Sequence, residues 1–199
     1  FFLFYLNMNN EVVFRRINEI EKQIIINNYS NISIEFSKII ENLTTRLYIS
    51  IDKLKTKNKF PNIYLIPESQ IKLLTTLDNN KIISVGLYFG FIKKGNFYLS
   101  LEGAEFLYFN KIISGFKKVQ VNNNGEKSIL YGNNLLKKMI LAILDSFEQN
   151  DILLIFNKNE EILALAQSKI DYQFIQKVHP NKVIAKNLID KGFYLREKQ

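Results

Sequence analysis

The chain has 199 residues, 47% of them apolar, which suits one large domain or two small ones with a packed core. It has no cysteine and one histidine, His179, so disulfides, cysteine-based chemistry, histidine triads and multi-histidine metal sites are excluded. A formal net charge of +8 points to an anionic partner, nucleic acid or a lipid surface.

The opening run Phe1 to Leu6 is far shorter than the ~20 residues that cross a bilayer, and it lacks the basic leader and cleavage site of a signal peptide. It reads as a strand or an apolar extension, with Met8 as an equally good natural start. Val12 to Ile20 places Val13, Ile17 and Ile20 on one face of a helix. Ser33 to Leu47 repeats that pattern with Phe36, Ile39, Ile40, Leu43 and Leu47. Tyr48 to Ile51 is β-like. Lys53, Lys55, Lys57 and Lys59 alternate with other residues and suit a solvated loop or a protected edge. Asn62 to Ile66 reads as a strand stopped by Pro67, and Glu68 to Leu77 as a helix with Ile71, Leu74 and Leu77 inward. Ile82 to Ile92 is a long β run. It turns at Lys93-Lys94-Gly95-Asn96 and returns through Phe97 to Leu101. Gly86 and Gly90 inside this run imply a bulge or a close backbone approach. Glu102 to Phe109 is a helix with Ser100 as its cap.

Ser114-Gly115 marks the domain boundary, giving units 1–114 and 115–199. Lys118 to Val121 is a strand, and Asn122-Asn123-Asn124-Gly125 reads as a turn. Gly132-Asn133 opens a helix from Leu135 to Leu144. Asp151 to Phe156 and Ile162 to Ala166 form a hairpin across Asn157 to Glu160, and Lys182 to Lys186 is the last strand. Short strands around one helix suggest a small barrel.

Nothing in the sequence assembles a catalytic site. Ser69-Gln70-Ile71-Lys72 has Ser-x-x-Lys spacing without its companion motifs, so Ser69 belongs near a helix start and Lys72 in solvent. The glycines at 86, 90 and 95 form no phosphate-binding fingerprint. His179 beside Pro180 suits an exposed turn, and Glu160-Glu161 a solvated one. No catalytic residue, metal or cofactor is expected.

Charge is concentrated at the carboxyl end. Residues 1–115 carry 14 Lys/Arg against 10 Asp/Glu, residues 116–168 carry 6 against 6, and residues 169–199 carry 7 against 3. Binding a nucleic acid requires cations spaced to meet phosphates, beside aromatics that can stack on bases. Lys169, Lys177, Lys182, Lys186, Lys191 and Arg196 are the candidate RNA-binding cations. Strand alternation puts Lys182 and Lys186 on one face with Ile184 between them, and Val183 and Ala185 opposite. Tyr172, Phe174 and Tyr194 could stack on bases, although core packing is the expectation for Phe174 and Tyr194.

Several segments, in order, resemble the Nip-type family of large-subunit ribosome-biogenesis factors. These are Val12-Val13-Phe14, Ile63-Tyr64-Leu65-Ile66-Pro67, Ile83 to Phe91 continuing through Lys94 and Phe97, Leu130-Tyr131-Gly132-Asn133 with Leu136-Lys137, and Gly192 to Arg196. The resemblance implies an α+β chain: an N-terminal antiparallel sheet with flanking helices, then a small PUA-type β-barrel closed by Gly192 to Arg196 as a strand. It implies a non-catalytic RNA-binding factor in large (60S-type) subunit biogenesis and pre-rRNA processing. The expected partners are pre-rRNA or other single-stranded RNA, and assembly proteins docking on the N-terminal domain. No membrane is involved, and the chain is expected to be a monomer outside the pre-ribosome. It would work in the cytoplasm if archaeal and in the nucleus or nucleolus if eukaryotic. The chain departs from the family at Ala166-Gln167-Ser168, where Ala-Lys-Ser is frequent and Lys169 follows one place later. The alternative is a PUA-containing RNA-modification enzyme or an accessory subunit of one.

Overall fold

The computed structural model of the chain describes residues 5–6, 12–29, 34–52, 60–76, 82–112 and 115–196. The N-terminal apolar run contributes β1 (Tyr5–Leu6). Val12 and Phe14 are buried while Val13 and Arg15 are only partly so, an alternation with a period of two; this segment is β2 (Val12–Arg16), not the helix expected from its apolar spacing. Its pairing with a neighbouring strand outweighs the helical reading, and α1 begins only at Glu19 (Glu19–Tyr29). Asn18 Oδ1 accepts from the Glu21 amide at 2.9 Å while Glu21 Oε2 accepts from the Asn18 amide at 2.8 Å, a reciprocal cap that starts the helix there. Ile20, expected inward, is 72% exposed.

Helix α2 (Ile34–Leu43) buries Phe36, Ile40 and Leu43 at helical spacing. Leu47 is buried too, but as the first residue of β3 (Leu47–Asp52). The lysine ladder from Lys53 to Lys59 lies outside the described residues, as does Leu77. β4 (Asn62–Leu65) and α3 (Glu68–Thr76) follow the expected pattern, with Leu74 buried. The long run from Ile82 splits into β5 (Ile82–Ser84) and β6 (Leu87–Lys93), and β7 (Asn96–Leu99) returns after a turn with Lys94 and Gly95 at φ +51° and +74°. β5 pairs with β1, so the N-terminal run is used as a strand.

Strands β2-β3-β4-β6-β7 make one antiparallel sheet. One face carries Leu47, Ile49, Ile63, Leu65, Phe97 and Leu99, all buried; α1 packs on β7, and α4 (Leu101–Phe109) packs on β6. Phe14 and Tyr48 on the other face are covered by Ile66, Leu74, Ile82 and Val85. Ser100 caps α4: its hydroxyl accepts from the Gly103 amide at 2.9 Å and donates to the Tyr88 carbonyl at 2.7 Å. Gly86 and Gly90 are both close-approach positions: Gly86 adopts φ +83° against the Leu65 carbonyl, and Gly90 lies under the Phe97 ring beside a register shift in β4–β6.

The chain divides into units Phe1–Ile112 and Ile113–Gln199; Ser114 lies outside the described residues. The second unit is a six-stranded sheet curled toward closure. Its order is β10-β8-β11-β12-β13-β9, from β8 (Lys117–Val121), β9 (Leu135–Leu136), β10 (Ile140–Ile143), β11 (Ile152–Phe156), β12 (Ile162–Ser168) and β13 (Val183–Asp190). The two edge strands, β9 and β10, are separated only by the 3-10 turn Lys137–Met139, which brings the sheet round on itself and leaves a near-closed barrel.

The helix of this unit is not where the sequence suggested. Asn122 to Gly125 is not a turn; Asn122 caps α5 (Asn123–Leu130), its Oδ1 accepting from the Gly125 amide at 2.9 Å. The expected helix from Leu135 to Leu144 is instead β9, the 3-10 turn and β10, because Ile140 to Ile143 find ladder partners in β8. Gly125 lets α5 approach closely: a Cβ there would lie 2.8 Å from Met139 Cβ and 2.9 Å from Val121 Cβ. β11 is buried along its whole length, as a strand flanked on both sides and packed on both faces must be. Its hairpin with β12 turns at Asn157, whose buried amide donates to Glu161 Oε2 at 2.7 Å and to Glu126 Oε1 at 3.2 Å.

Candidate nucleic-acid interface

The last strand decides where the cations point. β13 carries an irregularity between Val183 and Ala185 where it pairs with β9, so strict alternation fails: Ile184 and Ala185 are both buried. Ile184 therefore does not interrupt the lysine face as strand alternation suggested. Lys182 and Lys186 remain exposed at either side of the bulge.

Around the start of β13 the backbone gathers four cations. The Lys137 amide donates to the Lys182 carbonyl at 3.0 Å, and the Lys138 amide to the Pro180 carbonyl at 2.9 Å. Lys137 Nζ bridges the Gln176 and Val178 carbonyls, 2.8 Å from each, which fastens the segment after the 3-10 helix Tyr172–Lys177 to the barrel. Lys137 thus has a structural task, while Lys138, Lys177 and Lys182 stay exposed beside it. Phe174 is 44% exposed rather than in the core, with Lys177 Nζ 5.9 Å from its ring centre. Tyr172, also exposed, leans on buried Phe147 at 6.3 Å. His179 is exposed in its turn, and its Nδ1 accepts from the Asn181 amide. The Tyr194 side chain lies outside the described residues.

Further along, Lys186 sits directly across from Gln167 of β12, and Lys169 Nζ donates to Gln167 Oε1 at 3.2 Å. Gln167 thereby ties Lys169 to the neighbourhood of Lys186. Lys169 is half-buried and its amide donates to the Ile184 carbonyl at 2.7 Å.

Lys191 and Arg196 belong to the opposite end of β13. The chain end is a short helix, α6 (Phe193–Arg196), not the closing strand that the resemblance implied; the ladder is already complete at Asp190. Arg196 grips buried Asp190 with both terminal nitrogens, at 3.0 and 2.8 Å, and also donates to the Leu130 carbonyl. The hydrogen bond and charge of Asp190 raise the guanidinium pKa further. Gly132, at φ +85°, lies flat under this guanidinium; a Cβ there would sit 3.0 Å from Nη2. The Leu130-Tyr131-Gly132 and Gly192 to Arg196 segments are therefore two halves of one clasp. With Glu126, Lys127, Glu161, Leu163 and Lys191, the clasp lines a cleft of about 710 Å³, at whose mouth Tyr131 is 77% exposed.

The six cations named from the sequence thus fall into two groups: Lys169, Lys177, Lys182 and Lys186 along the first half of β13, and Lys191 with Arg196 beyond its end. Sequence reading missed Lys138, and Lys127 at the cleft. Segment totals hid both, because residues 116–168 sum to zero charge: Asp145 bonds the Lys118 amide, while Glu126 and Glu161, which hold Asn157, share the cleft with Lys127.

Residues 117–199 match the family described as UPF0113 PUA domain. The chain is 26% identical over 136 residues to the 60S ribosome subunit biogenesis protein nip7 of Schizosaccharomyces pombe, covering 68% of this chain and 73% of that one. It is 25% identical over 170 residues to the NIP7 homolog of Rattus norvegicus, covering 82% and 92%. Among solved structures, a PUA domain protein from Aeropyrum pernix superposes with a TM-score of 0.59 at 12% identity, covering 98% of this chain and 97% of that one. A conserved PUA domain protein from Thermoplasma acidophilum does so at 0.53 and 16% identity, covering 94% and 98%. At these identities the two structures speak for the fold alone.

Proposed function

We infer that this chain, which belongs to the NIP7 family of 60S ribosome subunit biogenesis proteins with a C-terminal PUA domain, is a non-catalytic RNA-binding factor of large-subunit assembly and pre-rRNA processing. The observation that carries the RNA-binding half is the grouping of Lys138, Lys177 and Lys182 beside exposed Phe174 at the start of β13, continued by Lys186 and Lys169. Cations in a line meet successive phosphates, and an exposed ring next to them accepts a base.

Residues 115–199 are the proposed RNA-binding domain and residues 1–114 the domain that docks other assembly proteins. Lys169, Lys177, Lys182 and Lys186 contact the phosphates of pre-rRNA or other single-stranded RNA. Lys191 continues that path past the clasp, and Arg196 serves it by holding the clasp shut. The chain is a monomer outside the pre-ribosome. No helix among the described residues is long and apolar enough to cross a membrane. The named relatives are eukaryotic, which favours the nucleolus over the cytoplasm as the place of work.

Four neutralised phosphates give a slope of log K against log salt of roughly −3 for single strands. The double substitution Lys182→Glu and Lys186→Glu leaves two, and the slope flattens to roughly −1.4 with a loss of affinity of at least about tenfold. Filter binding of a labelled single-stranded RNA across a salt series measures both. Binding by the double variant that matches the parent chain at every salt concentration overturns this interface.

A further inference from the structure

Outside the barrel, one surface of the N-terminal unit has the makings of a second binding site. The sheet register places Phe91 of β6 directly across from Tyr98 of β7. Their rings stack at 5.0 Å with an interplanar angle of 12°. Phe60, just before β4, stacks on the other side of Phe91 at 5.8 Å and 28°. Three aromatic rings thus form a continuous ladder across the sheet. Lys93 Nζ lies 4.6 Å from the centre of the Phe60 ring, and Lys94 follows in the β6–β7 turn.

This ladder is not core. Phe60 is 37% and Tyr98 41% exposed, while Phe89 and Phe97, which stack on each other in the same hairpin and face the helices, are buried. α3 and β5 cover the Phe14 and Tyr48 portion of the same sheet face. β7 is the last strand of its sheet, so among the described residues no neighbouring strand covers the Tyr98 end of the ladder. A contiguous exposed apolar patch of this kind marks an interaction surface.

We propose that the column of Phe60, Phe91 and Tyr98 stacks a base of single-stranded RNA on its open Tyr98 end, with Lys93 and Lys94 meeting the phosphates. The choice of RNA over a protein rests on geometry and charge together. An apolar protein anchor seeks a pocket, whereas this column of rings covers its own inner faces and presents the outer face of Tyr98 at the sheet edge, on which a base of any sequence can extend the stack. Lys93 lies over one of its rings, and Lys94 is exposed in the adjoining turn. The register also brings Asp52 to this face, on β3, and its side is already engaged. The site is independent of the barrel's.

The test uses the full chain and a uridine decamer carrying 4-thiouridine. Photo-crosslinked peptides are mapped in the parent chain and in the Lys182→Glu, Lys186→Glu variant. The proposal expects crosslinks at Tyr98 in both proteins, so a failed barrel site does not mask the stacking site. Tyr98→Ala weakens binding of the decamer by about tenfold, the usual effect of removing a base-stacking ring. Its salt slope stays that of the parent, because stacking releases no counterions. Tyr98→Phe keeps the ring and binds like the parent, which separates stacking from a folding defect. Crosslinks confined to residues 169–196, or a folded Tyr98→Ala protein that binds like the parent, overturn the stacking site and leave that face to a protein partner.

Discussion

Replacing Gly86 with alanine destabilises the N-terminal unit by about 3 kcal/mol or more, the sum of a backbone-strain and an overpacking cost. Gly86 joins β5 to β6 at φ +83°, a conformation that a Cβ disfavours. The added carbon would also fall far inside contact distance of the Leu65 carbonyl oxygen and 2.9 Å from Ile66 Cδ1. Neither neighbour can yield. The Leu65 backbone is held in the sheet across from Leu87, and the Ile66 side chain is fully buried against Phe14 and Tyr48. Urea unfolding followed by tyrosine fluorescence reads the loss as a lowered midpoint for the first transition. Gly95→Ala is the control: its φ of +74° carries the backbone term, but nothing lies within 4 Å of the added carbon. An equal loss in both variants shows that space at Gly86 is not the cause.

Asp190→Ala is expected to cost the barrel about 2 to 4 kcal/mol, through the loss of a buried, hydrogen-bonded ion pair and the stranding of its donors. The carboxylate is almost wholly buried and accepts from the Gly192 amide at 2.9 Å, from Asn187 Nδ2 at 3.2 Å and from both terminal nitrogens of Arg196. Arg196 is only part-buried and can turn to water, so the lower half of that range applies to the ion pair; the Gly192 amide has no such escape. Asp190→Asn keeps an acceptor for Gly192 and recovers part of the loss. Hydrogen exchange at Gly192 is the direct readout: fast exchange in Asp190→Ala and slow exchange in Asp190→Asn are the expected results. Slow exchange in both variants would show that the carboxylate is not what secures the chain end.

Much of the architecture could be read from local chemistry. The β6–β7 turn was legible because Gly95 suits a position of positive φ between two apolar runs, and α4 because Ser100 stands three residues before Gly103. The β11–β12 hairpin was legible from two apolar runs flanking a polar turn. Other elements depend on partners far away in sequence. Val12 to Arg16 has apolar residues that satisfy both periods, and only pairing with β3 makes it a strand. Leu135 to Leu144 is apolar enough for a helix, yet β8 claims it. Asn122 to Gly125 holds the residues of a turn and of a helix start at once, and the close fit of Gly125 against Met139 selects the second.

The candidate site was legible as composition and not as geometry. Counting charge located the carboxyl-terminal lysines, but strand alternation misplaced Ile184, because a bulge leaves no mark in this sequence. The role of Arg196 was out of reach for a related reason. Its partners Asp190, Leu130 and Gly132 come together only when α6 folds back on the barrel.

The separation of the two cation groups along β13 sets a molecular ruler. Lys186 ends the first group and Lys191 begins the second, and five residue steps at about 3.3 Å each place their backbones roughly 16 Å apart before twist shortens the path. A ligand of one or two nucleotides can occupy either end but cannot bridge both. Affinity should therefore rise in a step, not smoothly, as an oligonucleotide is lengthened one residue at a time in a titration series. A graded rise with no break would mean that the RNA never spans the strand.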